Sequence, residues 1–497
     1  MDTTGLTPLF AMLVPVLGAL GVVLLRHVPP ARELCGVVAG VVQVGLVASL
    51  VPAVRDGGTV SVTLSTFLPQ VSIALRADAL GVVLAGTAAI LWVLTTLYAM
   101  GYFGTAPDPA LTRFHGCLCL TMAATVGVAF SANLITLYLF YEAMTIITYP
   151  LVAHAGTPEA VRGGRRYLAY QLGAGIAFLL PAIILTYVEA GTFDFVPGGI
   201  FGPDASSVLL VIVYVLYLLG IAKAALMPVH SWLPAAMVAP VPVSALLHAV
   251  AVVNVGVFCV MRVVLDVYGS ELVGDLGLGA LTLVLTSATI IIASLYALRL
   301  DSLKGILAYS TIGQLSYMML GVALLSPGGR LGAILHLVGH SFSKITLFFA
   351  VGSIYLASHR TLASELRGIG RQLPLTMGAF AIGALSIIGL PPTVGFVAKY
   401  FLFLGAVEAG QWLVLVVLSV STLLSAEYYL RIMHGALLVG PAPVPSGGAD
   451  SAAGLRGPSV SEPSGLVVGP MLVTAVVTLV LGVAPGWLLD LIRLSIG

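Results

Sequence analysis

Residues 220–254 read GIAKAALMPVHSWLPAAMVAPVPVSALLHAVAVVN, and this stretch decides the fold of the chain. Lys223 stands in an apolar run that starts near Val208 and is interrupted at Pro228. A lysine inside a membrane span costs about 2.5–3.5 kcal/mol on insertion scales, so it normally faces a polar interior and marks an ion or proton path. A proline break exposes backbone groups that only a protein-lined cavity can satisfy. The alternative is a lysine that reaches the membrane surface, but Lys223 lies about 15 residues into its run, which makes that reach difficult.

The composition of the whole chain indicates a polytopic membrane protein. Of the 497 residues, 59% are hydrophobic and 8% are charged, whereas soluble domains are about 25% charged. The net charge of +1 gives no reason to expect nucleic acid as a partner. The four cysteines form no CxxC pair, so neither a disulfide framework nor a metal site is predicted. The sequence contains no phosphate-binding glycine loop, haem spacing or catalytic triad, so we expect no cofactor and no chemistry on a small molecule by this chain itself.

The hydropathy pattern predicts an all-α integral membrane protein with about 14 spans. Their approximate bounds are residues 5–25, 34–54, 77–100, 114–131, 133–153, 167–189, 208–227, 243–265, 276–298, 303–325, 331–356, 374–405, 411–433 and 466–490. The first run lacks a cleavage site of small residues and is interpreted as a span. Residues 55–76 contain VSVTL and VSIAL, which predict a β-hairpin outside the membrane. Residues 441–465 are rich in Pro, Gly and Ser and predict a flexible linker.

The distribution of positive charge predicts the orientation. The loops after odd-numbered spans carry thirteen cationic residues: Arg26, Arg32, Arg113, Arg162, Arg165, Arg166, Arg299, Lys304, Arg360, Arg367, Arg371, Arg431 and Arg456. The opposite side carries five: Arg55, Arg76, Arg262, Arg330 and Arg493. Because cytoplasmic loops are enriched in arginine and lysine, both termini are predicted to face away from the cytoplasm.

Spans 7 and 12 suggest an internal repeat. Each is interrupted by proline, at Pro228 and at Pro391-Pro392, and each carries one lysine, Lys223 and Lys399. They lie five spans apart, and an odd offset reverses the orientation in the membrane. Interrupted spans at matching positions of inverted halves point to a transport site. We therefore predict two inverted five-helix repeats, spans 4–8 and 9–13.

This repeat divides the chain into five parts. They are residues 1–110 (spans 1–3 with the hairpin), 111–268 and 269–435 (the two repeats), 436–465 (a cytoplasmic linker) and 466–497 (span 14).

Titratable residues occur inside several predicted spans. Glu142 lies in span 5, where an unpaired carboxylate is unfavourable, and Lys223 is its expected partner. The pair would load and release a proton if the carboxylate moved; the alternative is a static pair that ties two helices. His336, His340 and Lys344 follow each other at i, i+4 and i+8, which places them on one helix face over about 12 Å. Single buried histidines are usually structural, but three titratable groups in register favour a proton relay. Lys399 follows the second proline break and would pass protons to or from an exit.

Five ordered motifs resemble the antiporter-like proton-translocating family. They are FYEAMTIITYPLV (residues 140–152), KAALMPVHSWLPAAMVAPVPVSALLHAVAVV (223–253), LAYSTIGQLSYM (307–318), HLVGHSFSKITLFF (336–349) and GLPPTVGFVAKYF (389–401). That family includes the D-type components of Mrp sodium/proton antiporters, the large antiporter-like subunits of respiratory complex I, and equivalents in membrane-bound hydrogenases. The resemblance covers residues 70–435 and looks closest to the D-type Mrp components.

The resemblance implies a subunit of a multisubunit membrane complex that moves protons along a polar axis at mid-membrane. By motif match, Glu142 and Lys223 would be the coupled pair, His248 and the span-11 histidines the relay, and Lys399 the terminal lysine. Many members carry a lysine where this chain has Asn254, six residues after His248. A neutral amide cannot carry a proton, so His248, water or a neighbouring group would serve at that step.

Three functions follow from the resemblance. The first is the proton-conducting subunit of a monovalent cation/proton antiporter in the cell membrane, with Na+ as a candidate cation. The second is a pump subunit of a quinone- or ferredoxin-linked dehydrogenase or a hydrogenase. The third is a membrane subunit for uptake of inorganic carbon. The redox or hydration chemistry of the last two would reside on partner chains, so the sequence of this chain does not separate the three.

Overall fold

A computed structural model describes residues 2–68, 71–104, 109–440 and 460–495. Most of the predicted linker (residues 441–459), including Arg456, lies outside these ranges. The helices of the described residues are α1 (Thr7–Leu24), α2 (Pro29–Arg55), α3 (Ala79–Phe103), α4 (Pro109–Ala129), α5 (Leu134–Val152), α6 (Pro158–Ala174), α7 (Leu180–Ala190), α8 (Ser207–Gly220), α9 (Trp232–Ala235), α10 (Val241–Leu246), α11 (Val253–Arg262), α12 (Ser270–Asp275), α13 (Leu278–Arg299), α14 (Leu303–Ala323), α15 (Pro327–Ser358), α16 (Pro374–Ile388), α17 (Val394–Glu408), α18 (Trp412–Met433), α19 (Gly465–Val483) and α20 (Gly486–Arg493).

The all-α membrane architecture is confirmed. Within the described ranges, twelve helical segments are long and apolar enough to cross a bilayer. They correspond to every predicted span except 7 and 12, which are interrupted and appear as the shorter helices α8, α16 and α17. The total of 14 crossings and the inverted repeat stay predictions.

A three-stranded sheet flanks the helices. Strand β2 (Thr59–Leu68) pairs antiparallel with β3 (Val71–Ala77), which forms the hairpin that the two alternating segments predict. Strand β1 (Asp2–Thr4) pairs parallel with β2, and the strand order is β1-β2-β3. Sequence analysis does not predict β1, because three residues are too few to show an alternating pattern.

The first break begins earlier than the sequence predicts. Helix α8 ends at Gly220, well before Pro228, and a 3-10 turn follows at Ala222–Ala224. The cause is tertiary: the indole Nε1 of Trp232 donates to Ala222 O at 2.9 Å, and the Tyr141 hydroxyl accepts from Lys223 N at 3.2 Å. Since side chains satisfy the backbone groups that the break frees, the helix can end inside the protein. Lys223 therefore lies beyond the helix end, which corrects its predicted place inside span 7.

Helix α15 occupies the centre of the second half and packs closely on α17. Residues 331–354 of α15 are all buried. A Cβ on Gly332 would lie 2.7 Å from Leu402 N, and one on Gly405 would overlap Gly329 N, so the two backbones touch. Glu408 also accepts a hydrogen bond from Gly328 N at 2.8 Å, which satisfies a free donor at the start of α15.

Candidate functional site: a buried series of lysines and histidines

Lys223 is fully buried in the first break. Its ammonium donates to Tyr141 O at 2.9 Å and to the Thr145 hydroxyl at 2.6 Å, both on α5. Nζ also lies 3.2 Å from the centroid of the Tyr141 ring, where the negative face of the ring attracts a cation. A Cβ on Gly256 would overlap the backbone of Lys223, so glycine lets α11 approach the break. The lysine is thus surrounded by helices α5 and α11.

Glu142 lies beside this lysine without forming a direct ion pair. Among the described residues, the ion pairs within 4 Å do not include Glu142 and Lys223. Both carboxylate oxygens of Glu142 are shielded from solvent and have no hydrogen-bond partner in the described part of the chain. They face Gly175 at the start of a π turn (Gly175–Leu179), because a Cβ on that glycine would overlap Oε1. The predicted partners Glu142 and Lys223 therefore do not touch. The lysine is bonded instead to Thr145, which lies on the same helix as the carboxylate.

His248 and Asn254 lie on the interrupted helix that runs from α10 to α11. His248 is buried within a π turn (Leu247–Ala251), and no described residue forms a hydrogen bond with its Nδ1. Asn254 is fully buried, and its amide nitrogen donates to Ala249 O at 2.7 Å and to the Ser341 hydroxyl at 2.7 Å. The amide thereby ties the π turn to α15. π turns are rare in proteins, but those that do occur are often found at functional sites.

The three predicted relay residues of α15 (His336, His340 and Lys344) are all buried, and the neighbouring helices supply hydrogen-bond partners to two of them. His336 Nε2 lies 2.8 Å from Gln314 Oε1 on α14, and the His336 and His340 rings are 6.3 Å apart. Neither ring nitrogen of His340 has a hydrogen-bond partner among the residues that the structure describes. Lys344 donates at 3.2 Å both to Leu307 O and to the Tyr429 hydroxyl. The spacing of four residues thus produces one polar face, as the sequence predicts.

Lys399 lies at the second break. Its ammonium donates to Ile388 O at 2.9 Å, at the end of the half-helix α16, and to the Thr422 hydroxyl at 3.2 Å. Nζ lies 4.9 Å from the Tyr317 ring centroid, and that ring is 5.8 Å from the His336 ring. Tyr317 therefore joins Lys399 to the histidines of α15.

The structure brings most of the predicted residues into one buried series, which is interrupted between Lys223 and His248. Ring contacts connect Lys399 through Tyr317 and His336 to His340, and Lys344 lies one turn further along α15. His248 lies against α15, with its ring 5.2 Å from the Phe348 ring. Within the described residues, no hydrogen bond, ion pair or ring contact joins Lys223 to His248. The helix that carries Asn254 and Gly256 spans this gap.

Sequence reasoning missed a buried ion cluster at the end of α11. Arg262 enters the charge count as a loop cation, yet it is buried and forms ion pairs with Asp78 at 2.7 Å and Asp266 at 2.8 Å. Burial opposes ionisation of Asp78, but the Arg262 guanidinium holds the pKa of this carboxyl, which precedes α3, below its usual value. The cluster borders a cavity of about 570 Å³ that β2 also lines at Thr59. Arg262 therefore carries no weight in the orientation argument, because its charge is neutralised.

Lys304, which the charge count assigns to a cytoplasmic loop, is a structural tie. It donates to Met237 O at 3.3 Å and to Ala239 O at 2.7 Å, and so fixes the segment that follows the first break.

Comparison with known proteins places this geometry in a family. The family described as "NADH:quinone oxidoreductase/Mrp antiporter, TM" matches residues 131–425, which include every residue of the buried series. NADH-quinone oxidoreductase subunit N of Desulforudis audaxviator is 34% identical over 410 residues, which is 80% of each chain. The A/B component of a probable K(+)/H(+) antiporter of Rhizobium meliloti is 30% identical over 78% of this chain, but the match spans only 39% of that protein.

Solved structures share the fold. A chain of the Mrp complex from Dietzia sp. DQ12-45-1b superposes with a TM-score of 0.86 at 25% identity, over 99% of this chain and 96% of that one. A chain of respiratory complex I from Thermus thermophilus gives 0.75 at 22% identity, over 96% and 98%. Family match, relatives and fold agree, and we conclude that this integral membrane protein belongs to the NADH:quinone oxidoreductase/Mrp antiporter transmembrane family.

Proposed function

We propose that the chain is the proton-conducting subunit of a multisubunit monovalent cation/proton antiporter in the cytoplasmic membrane. The buried series from Glu142 and Lys223 to Lys399 carries this proposal, because titratable groups inside a membrane protein are costly and mark ion or proton paths. Each lysine of the series bonds to a backbone carbonyl and a hydroxyl rather than to a carboxylate. Because these direct partners are neutral, Lys344 and Lys399 can lose a proton without leaving an anion bonded to them, whereas at Lys223 the nearby Glu142 carboxylate would remain.

The pump subunit of a complex I-like oxidoreductase is the second candidate. It is favoured by the 34% identity to a subunit N, over 80% of both chains. The antiporter assignment is favoured by the match to the Mrp chain, which extends at 25% identity over almost the whole of both chains. Both assignments use the same buried series and differ in what drives proton movement.

The test is proton movement by the purified complex in sealed vesicles. An antiporter moves protons when a Na+ or K+ gradient is imposed without any electron donor, and a Lys223→Ala complex, equally assembled, does not. Proton movement that requires an electron donor and a quinone would replace the antiporter proposal with the second candidate. The proteins that co-purify give an independent assignment: small hydrophobic partners fit the first candidate, and iron–sulfur subunits fit the second.

The proposed orientation places both termini outside the cytoplasm. In this orientation the segment around Gly164 faces the cytoplasm and the segment around Gly198 faces outside. Neither glycine is a good site for a cysteine label, because Gly164 packs on Tyr149 and Gly198 has a φ of +91°. Exposed neighbours are better labelling positions. Cysteine introduced by Glu159→Cys should react with a charged maleimide only from the cytoplasmic side, and Asp204→Cys only from outside. Labelling of both from one side would contradict the orientation and the inverted repeat.

A further inference from the structure

Gln171 on α6 is fully buried, and neither its amide nitrogen nor its carbonyl oxygen has a hydrogen-bond partner among the described residues. About nine in ten buried polar groups in proteins are hydrogen-bonded, so a fully unpartnered buried amide indicates a partner that is bound in the working protein. The function derived above does not use this residue.

The register of α5 against α6 shows what Gln171 faces. The Tyr167 hydroxyl lies 2.6 Å from the Thr148 hydroxyl, and Gly175 faces the Glu142 carboxylate. Gln171 is four residues from both Tyr167 and Gly175, so it lies on the same face of α6. Since the two helices run antiparallel, Gln171 lies level with Thr145, midway between these two contacts.

Thr145 is the residue whose hydroxyl accepts a hydrogen bond from Lys223. The register therefore brings the buried Gln171 to the turn of α5 that carries both Glu142 and Thr145, two residues whose charged groups no direct ion pair joins. The Glu142 oxygens lack a partner within the described ranges, and the Thr145 hydroxyl is bonded to Lys223. A carboxamide has two donors and one acceptor oxygen, so it can serve an anion and a cation at once. A bridging water needs two to four polar partners, and this position offers them.

We propose that Gln171 is a positioning residue that joins Glu142 to the Thr145–Lys223 pair through bound water. Its NH2 group is directed to the carboxylate, and its carbonyl oxygen is directed to the hydroxyl and the ammonium. The amide holds the two charged groups in relation to each other and does not itself gain or lose a proton. The predicted effect on proton movement rests on the proposed function, whereas the contact between Gln171 and Glu142 does not.

The chain offers a matched control in Gln43. This glutamine is also fully buried, on α2, but its amide donates to Ala11 O at 2.9 Å and so ties two peripheral helices. Gln171→Met and Gln43→Met both keep the length of the side chain and remove the amide. We expect Gln171→Met to lower proton flux about tenfold in membranes with matched amounts of assembled complex, and Gln43→Met to leave it within about twofold.

Infrared spectroscopy of the purified complex measures the carboxyl bands of Glu142, which a loss of packing elsewhere would not shift. The carboxyl bands that disappear in Glu142→Gln belong to Glu142. They should shift in Gln171→Met and stay in place in Gln43→Met, and Gln171→Asn should shift them less than Gln171→Met does.

Unshifted Glu142 bands in an assembled Gln171→Met complex would overturn the inference while leaving the role of Glu142 intact. Shifted bands in a native complex that moves no protons under a Na+ or K+ gradient would instead overturn the proposed function and retain the contact. If Gln171→Met does not assemble, the bands of Gln171→Asn decide: a shift supports the inference and no shift rejects it.

Discussion

The two breaks hold their lysines in the same way and differ in one group. Lys223 and Lys399 each donate to one backbone carbonyl and one threonine hydroxyl, and each faces a tyrosine ring. Lys223 has the carboxylate of Glu142 close by, on the helix that supplies its hydrogen-bond acceptors. Lys399 is held instead by the carbonyl end of α16, where the helix dipole is negative.

This difference assigns different roles to the two breaks. A carboxylate that changes its distance from a lysine changes how strongly the lysine holds its proton. The carbonyl end of a helix favours a cation by a nearly constant amount. The first site can therefore be adjusted, whereas the second has a fixed environment.

The largest expected effect comes from removing the group that distinguishes the two sites. Glu142→Gln keeps the shape of the side chain but cannot ionise, so proton flux should fall to background, as it should in Lys223→Ala. Glu408→Gln is the matched control, because an amide oxygen can still accept from Gly328 N. Flux is measured as pH-gradient dissipation in membranes with equal amounts of assembled complex. Normal flux in Glu142→Gln would make the carboxylate a structural tie and the two sites equivalent.

In the proposed path His248 connects the two sites, so we expect its loss to be almost as severe. A neutral imidazole can accept on one nitrogen and donate from the other, so His248→Gln removes titration and should stop flux. Asn254→Ala removes an amide that organises the turn and should only slow transport. Asn254→Lys should be tolerated and partly rescue His248→Gln, because three acceptors surround the amide nitrogen.

The opposite pattern of effects would contradict the role predicted for His248. Unchanged flux in His248→Gln together with lost flux in Asn254→Ala would mean that protons bypass the histidine.

A glycine next to Lys399 tests whether the second site is fixed. Gly389 has a φ of +91°, and a Cβ there would lie 2.6 Å from Lys399 Cδ, so Gly389→Ala should displace the ammonium from Ile388 O. We expect flux to fall at least about tenfold. Gly378→Ala on the same half-helix is the control, since no atom of the described residues lies within 4 Å of the added Cβ. Full activity of Gly389→Ala would show that the second lysine tolerates displacement.

The smallest effects should come from the two threonines. The Lys223–Thr145 hydrogen bond is 2.6 Å long and the Lys399–Thr422 bond is 3.2 Å. Thr145→Val should lower flux about fivefold and Thr422→Val about twofold, because the shorter bond to a charged group is the stronger. Thr121→Val, whose native hydroxyl donates to Cys117 O of its own helix, is the control. Equal losses at both threonines would remove this distinction between the sites.

The sequence predicts the charged members of these sites and misses the neutral ones. Lys223, Glu142 and Lys399 are recognisable because charges inside apolar runs are rare. Thr145, Tyr317 and Gln171 are ordinary residues of a span, and only the packing of one helix on another gives them a role. The helix end at Gly220 escapes prediction for the same reason, since the Trp232 indole and the Tyr141 hydroxyl that stabilise the break come from other segments.

The close packing of α15 on α17 has a mechanical consequence. Glycines bring the two backbones into contact, and Glu408 and Ser326 bond across the contact to Gly328 N and Gly405 O. These contacts resist sliding of the two helices, so we expect the distance between His336 and Lys399 to change little when the subunit moves. We therefore expect conformational change to occur mainly at the first break, while the α15–α17 pair stays fixed.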